Sequence, residues 1–411
     1  MEMNETGLNR INWARNNMGV IAEIRKRFID EKPFKDIKIG MALHVEAKTG
    51  VFALLLKEGG AKVRMASCNP LSSDDNVVAS LKEDFGMEVY AKKGMSEEEY
   101  YEYLNKVLDL EPDIVIDDGG DLVNMLHEKR TDLIRNIIGG NEETTTGVVR
   151  LKAMEKAKYL KFPMFDVNDA MMKHFFDNRY GTGQSTLDGI MNATNILIAG
   201  KRVVVAGYGY CGKGIAMRMK GMGARVTVTE IDPVKAVEAS MDGFDVAKMN
   251  ECIREADILV TATGMKNVVT YDDMLVARNN IILSNAGHFN NEIAVGDLER
   301  RNIEKKKVRE LVTRYRLENG NSVNLIADGR LVNLASGQGH PVEIMDMSFA
   351  IQALVAEYLL KYRDNLVPRV YSVPPEIDEG VAWIKLKSLG LKIDKLTDEQ
   401  MKYLETWNEG T

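Results

Sequence analysis

The stretch "KRVVVAGYGYCGKGIAMRMKGMGARVTVTE", Lys201 to Glu230, decides the fold. An apolar run leads into Gly207, Gly209 and Gly212, a G-x-G-x-x-G spacing that opens a helical stretch, and a second apolar run ends in Glu230. Strand, glycine turn, helix, strand and terminal acid together predict a dinucleotide-binding βαβ unit. Gly207 permits the tight turn, Gly209 lets the backbone approach a pyrophosphate, and Gly212 lets the helix pack closely while its first N–H groups meet the negative charge. Glu230 then binds a ribose diol and repels a 2′-phosphate, so NAD is expected rather than NADP. Cys211 stands at the helix start, where a thiol pKa can fall; the expected role is that of a small residue fitting the loop.

The same rhythm continues on both sides. "IKIGMAL" (37–43) precedes "TGVFALLLKEGG", "AKVRMAS" and "MEVYAK" precede "SEEEYYEYLNKVLDL", and "PDIVID" precedes another helical stretch; after the glycine motif come "ADILVTATG" and "NNIILSNAG". Such alternation predicts an α/β chain of two doubly wound parallel sheets. The 411 residues also exceed what one core usually serves. The join is expected near Tyr180 to Ser185. A net charge of -7 argues against a nucleic-acid or acidic membrane partner and for a small molecule. Cys68, Cys211 and Cys252 are an odd number in no metal-type spacing, so no metal is expected, and with no signal-like or spanning segment the expected compartment is the cytoplasm.

Four further segments are unusually polar. "LHVEAKTG", Leu43 to Gly50, reads as the end of a strand with His44, Glu46 and Lys48 on one face. "DDGGD" puts Asp118 at the carboxyl end of a strand, where open α/β sheets hold ligands; a helix-capping acid is the other reading. "EETTTG" sets Glu143 beside Thr144, Thr145 and Thr146, which alone is an N-cap pattern. "VNDAMMKHFFDN" spaces Lys173 and Asp177 four apart with Asn178 next, which alone is a salt bridge on a solvated helix.

Taken in order with "GYGYCGKG", "SNAGHFNNEI", "DGRLVNLA" and "GHP", these segments closely resemble the S-adenosyl-L-homocysteine hydrolase family over nearly the whole chain. The resemblance implies a substrate-binding domain (1–182, completed by 341–372), an NAD-binding Rossmann domain (183–340), and a short C-terminal helical arm (373–411) that joins subunits, usually in a homotetramer. It implies a nucleoside thioether substrate and the reason a hydrolase carries NAD. The C4′–H beside a poor leaving group is not acidic enough for a side chain to remove until the 3′-hydroxyl is oxidised; homocysteine then leaves by elimination, water adds, and the ketone is reduced again.

The resemblance assigns roles residue by residue. Lys173, Asp177 and Asn178 would deprotonate and orient the 3′-hydroxyl, the lysine acting as a base only if burial or a cationic neighbour lowers its pKa. Glu143 would hold the ribose hydroxyls, Asp118 exchange the C4′ proton, and His44 serve the group at C5′. His288 and Phe289 match the family's gate. Thr144, Thr145, Thr146, Asn178, Tyr210, Cys211, Lys213, Gly214, Gly287, His288 and Asn333 would stand at the cofactor with Glu230 and the three glycines, and His340 and Met345 near the base. Where adenosine-selective members carry a small hydroxyl residue and then a carboxylate, this chain has Glu46 and Lys48. Lysine offers only donors, which suits the 6-oxo group of hypoxanthine, with Glu46 taking the N1 proton. The expected substrate is therefore S-inosyl-L-homocysteine, an ordinary adenosine-selective enzyme being the alternative and mutual pairing of Glu46 with Lys48 the structural one. Lys235 stands where many members have asparagine and Thr182 where a cysteine is common; the chain also stops without the C-terminal extension of longer members, so NAD is expected to be held either less tightly or by different C-terminal groups. A dehydrogenase that releases NADH and a non-enzymatic NAD-binding relative are the readings from other classes.

Overall fold

In the computed structural model, which describes residues 2–408, the apolar runs form two sheets. The first contains β1 (Lys38–Leu43), β2 (Lys62–Ser67), β3 (Glu88–Tyr90), β4 (Ile114–Asp117), β5 (Gly139–Glu142) and β6 (Met164–Asp166). The second contains β7 (Arg202–Ala206), β8 (Arg225–Thr229), β9 (Asp245–Val246), β10 (Ile258–Thr261), β11 (Ile281–Asn285), β12 (Glu304–Arg309), β13 (Val312–Arg316) and β14 (Ser322–Ile326). A late strand, β15 (Val370–Ser372), returns to the first sheet and pairs with β6.

The first sheet has the order β15-β6-β5-β4-β1-β2-β3 and is parallel throughout. The second has the order β12-β13-β14-β11-β10-β7-β8-β9, parallel except for β13, which runs antiparallel to both its neighbours. That exposed hairpin was not foreseen. Its sequence, "EKKKVRELVTRYR", alternates charge with isolated apolar residues, and its outer strand is a lysine-rich edge of the kind that discourages further pairing. Parallel sheets need apolar cover on both faces, and each has it: Phe52, Ile116 and Phe349 lie in one of the cores flanking the first sheet and Leu104 and Val115 in the other, and the second sheet is enclosed in the same way.

Strand order reverses between β1 and β4 in the first sheet and between β7 and β10 in the second. Those switch points are where open α/β sheets leave a crevice at the strand ends. His44 and Asp118 follow β1 and β4, and Gly207 and Thr263 follow β7 and β10. The chain passes from one sheet to the other through a helical stretch, 171–194, whose middle (His174–Gly181) is a wide π turn, and Tyr180 to Ser185 lie inside it.

The strand expected through "HVEAK" ends before it. β1 stops at Leu43, and Glu46 is the N-cap of the helix Ala47–Glu58, its carboxylate accepting from the N–H of Lys48 (3.0 Å) and of Thr49 (3.3 Å). An acid at a helix start satisfies open backbone donors and favours the dipole, so "HVEAK" is a strand-to-helix turn and not a strand face.

The helix Val342–Tyr362 ties the late segment to the first sheet. Its buried Asp346 accepts from the N–H of Val20 (3.0 Å) and Ile21 (2.9 Å), capping the helix Gly19–Glu31, and pairs with Lys385 at 3.2 Å. Asp346→Ala strands two backbone donors and a cation at once, and is expected to lower unfolding free energy by about 3–5 kcal/mol in a denaturant titration.

Candidate active site

The two switch points open into one cleft of about 1500 Å³. His44, Glu46, Lys48, Asp118, Glu143, Lys173, Asp177, Asn178, His340 and Met345 line it toward the first sheet. Gly207, Gly209, Tyr210, Cys211, Glu230, Gly287, His288 and Asn333 line it toward the second, with Thr144, Thr145 and Thr146 between. Gly212, Lys213 and Gly214 are off the wall: a Cβ on Gly212 would lie 1.9 Å from the Gly207 carbonyl, one on Gly214 1.7 Å from that of Arg179, and Lys213 pairs with Glu238.

At the centre, Asp118 faces two imidazoles, His44 Nε2 at 3.2 Å and His288 Nδ1 at 3.6 Å. His44 Nδ1 lies 2.7 Å from Ser72 Oγ and 3.3 Å from Cys68 Sγ. Burial holds the His44 pKa down to about 4, against the pull of Asp118, so at neutral pH the ring is uncharged, with its proton on Nε2 toward the carboxylate. The ligand-type atoms of His44, Asp118 and His288 lie within 4.8 Å of one another, a spacing that the absence of a metal pattern in the sequence did not anticipate.

Beside them Lys173 Nζ donates to Asn178 Oδ1 (2.7 Å) and Asn168 Oδ1 (3.1 Å) and lies 3.6 Å from Asp177. Burial alone would lower this ammonium, yet Asp177 and Glu143 outweigh it and hold the lysine above its ordinary pKa. Asp177 is buried too, but Lys173, His340 (3.0 Å) and Ser348 (2.7 Å) keep it well below the carboxylate range. Glu143 goes the other way. Burial, then the charges of Asp118 and Asp177, push it well above the usual value, and Gln352 donates to it at 2.9 Å. Neighbouring groups driven apart in this way are suited to opposite acid–base roles. Cys211 is pushed up by burial, as expected of a residue that fills space.

The sequence pattern did not single out Ser72, Cys68, Asn168, Ser348 or Gln352. Asn168 stood in a quoted motif, but Ser348 and Gln352 come from the helix Val342–Tyr362, which reads as plain apolar core.

The second-sheet wall fits a dinucleotide. Above Gly209 a Cβ would meet nothing within 4 Å, leaving room for a group over the helix start. Glu230 accepts from the N–H of Tyr208 (2.7 Å), Ile231 (2.7 Å) and Asp232 (3.1 Å), which fixes its carboxylate at the end of β8, where a diol would meet it. Thr146 Oγ1 and Asn333 Oδ1 are buried without a hydrogen-bond partner among the described residues, as expected of atoms that await a ligand.

Known proteins match along the whole chain. Residues 178–339 match the sequence model of the S-adenosyl-L-homocysteine hydrolase NAD binding domain, and residues 1–134 that of S-adenosyl-L-homocysteine hydrolase. Adenosylhomocysteinase of Thermoplasma volcanium is 71% identical over 98% of this chain and 99% of its own. S-inosyl-L-homocysteine hydrolase of Methanocaldococcus jannaschii is 59% identical over 98% and 97%. Among the described residues, no helix is long and apolar enough to cross a membrane.

The depressed His44 fixes a pH dependence. The unfolded chain binds this proton near 6.5 and the folded one only near 4. Between those values the unfolded state holds more protons, so the group's contribution is complete above 6.5 and is lost as pH falls toward 4. An NMR titration of His44 is expected to show a midpoint near 4, and Asp118→Asn to move it lower by removing the charge that favours the imidazolium.

Proposed function

The chain belongs to the S-adenosyl-L-homocysteine hydrolase family, an NAD-binding hydrolase, and we propose that it cleaves the thioether of S-inosyl-L-homocysteine in preference to the adenosyl compound. The gathering of Asp118, Glu143, Lys173, Asp177 and an uncharged His44 around one cleft carries the cleavage reading. Gly207, Gly209, Glu230, Thr146 and Asn333 would hold NAD at the second-sheet wall, where it would supply reversible hydride chemistry at the 3′ carbon. Lys173, held by Asn168, Asn178 and Asp177, takes the 3′-hydroxyl proton, which it can do only once cationic charge in the cleft offsets its carboxylate neighbours. Glu143, whose pKa burial and the neighbouring carboxylates push up, holds the ribose hydroxyls. Asp118 accepts the C4′ proton, the adjoining Asp118–His44 pair returns that proton to the leaving sulfur, and the same pair then takes a proton from the water that adds at C5′ while C4′ is protonated again, leaving homocysteine and the free nucleoside. His288 covers Asp118 and keeps bulk water from the oxidised sugar. In this reading 1–182 with 341–372 is the substrate domain, 183–340 the NAD domain and 373–411 a homotetramer arm. The exposure of Leu404 and Trp407 (71% and 96%) supports the arm, of which residues 409–411 lie outside the described ones.

The base preference rests on Lys48. Its nearly buried Nζ donates to Gln338 O (3.0 Å) and is ion-paired with Glu46 Oε2 (2.8 Å), and the ammonium lines the cleft with an N–H to spare. An ammonium complements the 6-oxo group and opposes the 6-amino group of adenine. Glu46 is saturated: its two oxygens face the N–H of Lys48 and Thr49, the Thr49 hydroxyl and the Lys48 ammonium, so Lys48 carries the preference without it. The same ion pair favours a second reading, in which Lys48 only neutralises Glu46 and the enzyme is adenosine-selective.

A buried donor–donor mismatch costs about 1–3 kcal/mol, roughly ten- to a hundredfold in selectivity. With protein reconstituted with NAD and free thiol as the readout, S-inosyl-homocysteine is expected to give the larger kcat/KM, and Lys48→Ala to shrink that advantage by about tenfold or more. A larger value for S-adenosyl-homocysteine with a ratio unmoved by Lys48→Ala selects the second reading.

A further inference from the structure

The loop carrying His288 and Phe289 is pinned at both ends. At its root Asn285 is fully buried, and its amide donates to the carbonyls of Gly287 (3.1 Å) and Phe289 (2.8 Å), the residues flanking His288, and of Gly329 (2.9 Å). Its Oδ1 accepts from the Gly287 N–H at 2.7 Å. At the far end Glu292, 1% exposed, turns back beneath the loop. Its carboxylate accepts from the Thr263 N–H (3.0 Å), the Thr263 hydroxyl (2.8 Å) and the Gly264 N–H (2.9 Å). A Cβ on Gly287 would lie 1.8 Å from Glu292 Oε1, so the loop rests directly on this carboxylate.

Thr263 and Gly264 follow β10 and line the cleft with Gly287 and His288. Glu292 therefore joins the loops that leave two adjacent strands of the second sheet. No cation pairs with it among the described residues; the Thr263 and Gly264 donors come from one turn, and the Thr261 hydroxyl at the end of β10 stands beside them. Burying a carboxylate without a counter-charge is unfavourable, and an apolar side chain would serve a mere core position better. What a carboxylate does here that no other side chain does is accept on both oxygens at once.

We propose that Glu292 is a positioning residue that fixes the His288 loop to the Thr263–Gly264 floor of the dinucleotide cleft, so that one side chain sets both the hold on NAD and the seat of His288 over Asp118. The inference rests on NAD binding and not on the hydrolytic step. Glu292→Gln keeps the shape but turns an N–H2 group toward a backbone donor; Glu292→Ala removes the whole brace.

The test uses purified holoenzyme, with NAD release after dilution and residue-resolved amide hydrogen exchange as readouts. In Glu292→Gln, NAD is expected to leave about tenfold faster, the effect of losing one charge-assisted hydrogen bond. The Thr263 and Gly264 amides are expected to exchange faster by a similar factor, while β1 to β6 keep their protection. Glu292→Ala, where it folds, should exceed Glu292→Gln in both. Wild-type NAD release in Glu292→Gln, or a rise in exchange spread evenly over both sheets, overturns the proposal. Neither readout involves substrate, so failure of the hydrolase reading would leave this result standing.

Discussion

Asp118 is the point at which the two sheets meet. His44 approaches it from the end of β1, in its own sheet, and His288 from the loop after β11, in the other. The next residue allows this: Gly119 has a φ of +111°, and a Cβ there would lie 2.5 Å from His288 Nε2. A side chain at 119 would displace the His288 ring from its place over Asp118. Because the carboxylate is shared, the position of the NAD domain and the environment of the substrate acids are one variable. A change in closure alters burial at His44, Asp118 and Glu143 together.

The electrostatics follow from that closure. Asp117, Asp118, Glu142 and Glu143 crowd the ends of two adjacent strands, and Lys173 is the buried cation beside them. Burial pushes Glu142 well above the ordinary range, with Asp117 and Asp118 adding to it, and it still accepts from the N–H of Gly119 (2.8 Å) and Thr144 (3.0 Å). These bonds fix the turns beside Asp118 and Glu143. Much of the acid excess is thus backbone scaffolding for the few carboxylates that line the cleft.

Legibility in the sequence tracked how local the cause was. The βα alternation, the glycine turn and the acid at the end of β8 are set by residues within one supersecondary unit, and they stand where the pattern placed them. Asp118 was legible for the same reason, since a strand end needs only its own apolar run. The strand reading of "HVEAK" failed because alternation cannot distinguish a strand face from a strand that stops and starts a helix; the N-cap bonds of Glu46 decided it, and they depend on a turn geometry that the spacing does not specify. Gln352 and Ser348 were invisible because they lie about 200 residues from Glu143 and Asp177, on a helix whose composition reads as core.

The setting of Lys48 bears on why it is there. It is the second residue of the helix Ala47–Glu58, close to the positive end of the helix dipole, and nearly buried. Both features disfavour an ammonium. Glu46 offsets the penalty, yet Glu46 already caps the helix through the backbone N–H groups of Lys48 and Thr49 and needs no lysine to do so. Replacing the lysine with a neutral residue would keep the cap and remove an unfavourable charge. The Gln338 carbonyl gives the amine one structural partner at 3.0 Å, and its remaining N–H suits a ligand with an acceptor facing the cleft. In the proposed reading, the sixth position of a purine supplies that acceptor when it carries oxygen and withholds it when it carries an amino group.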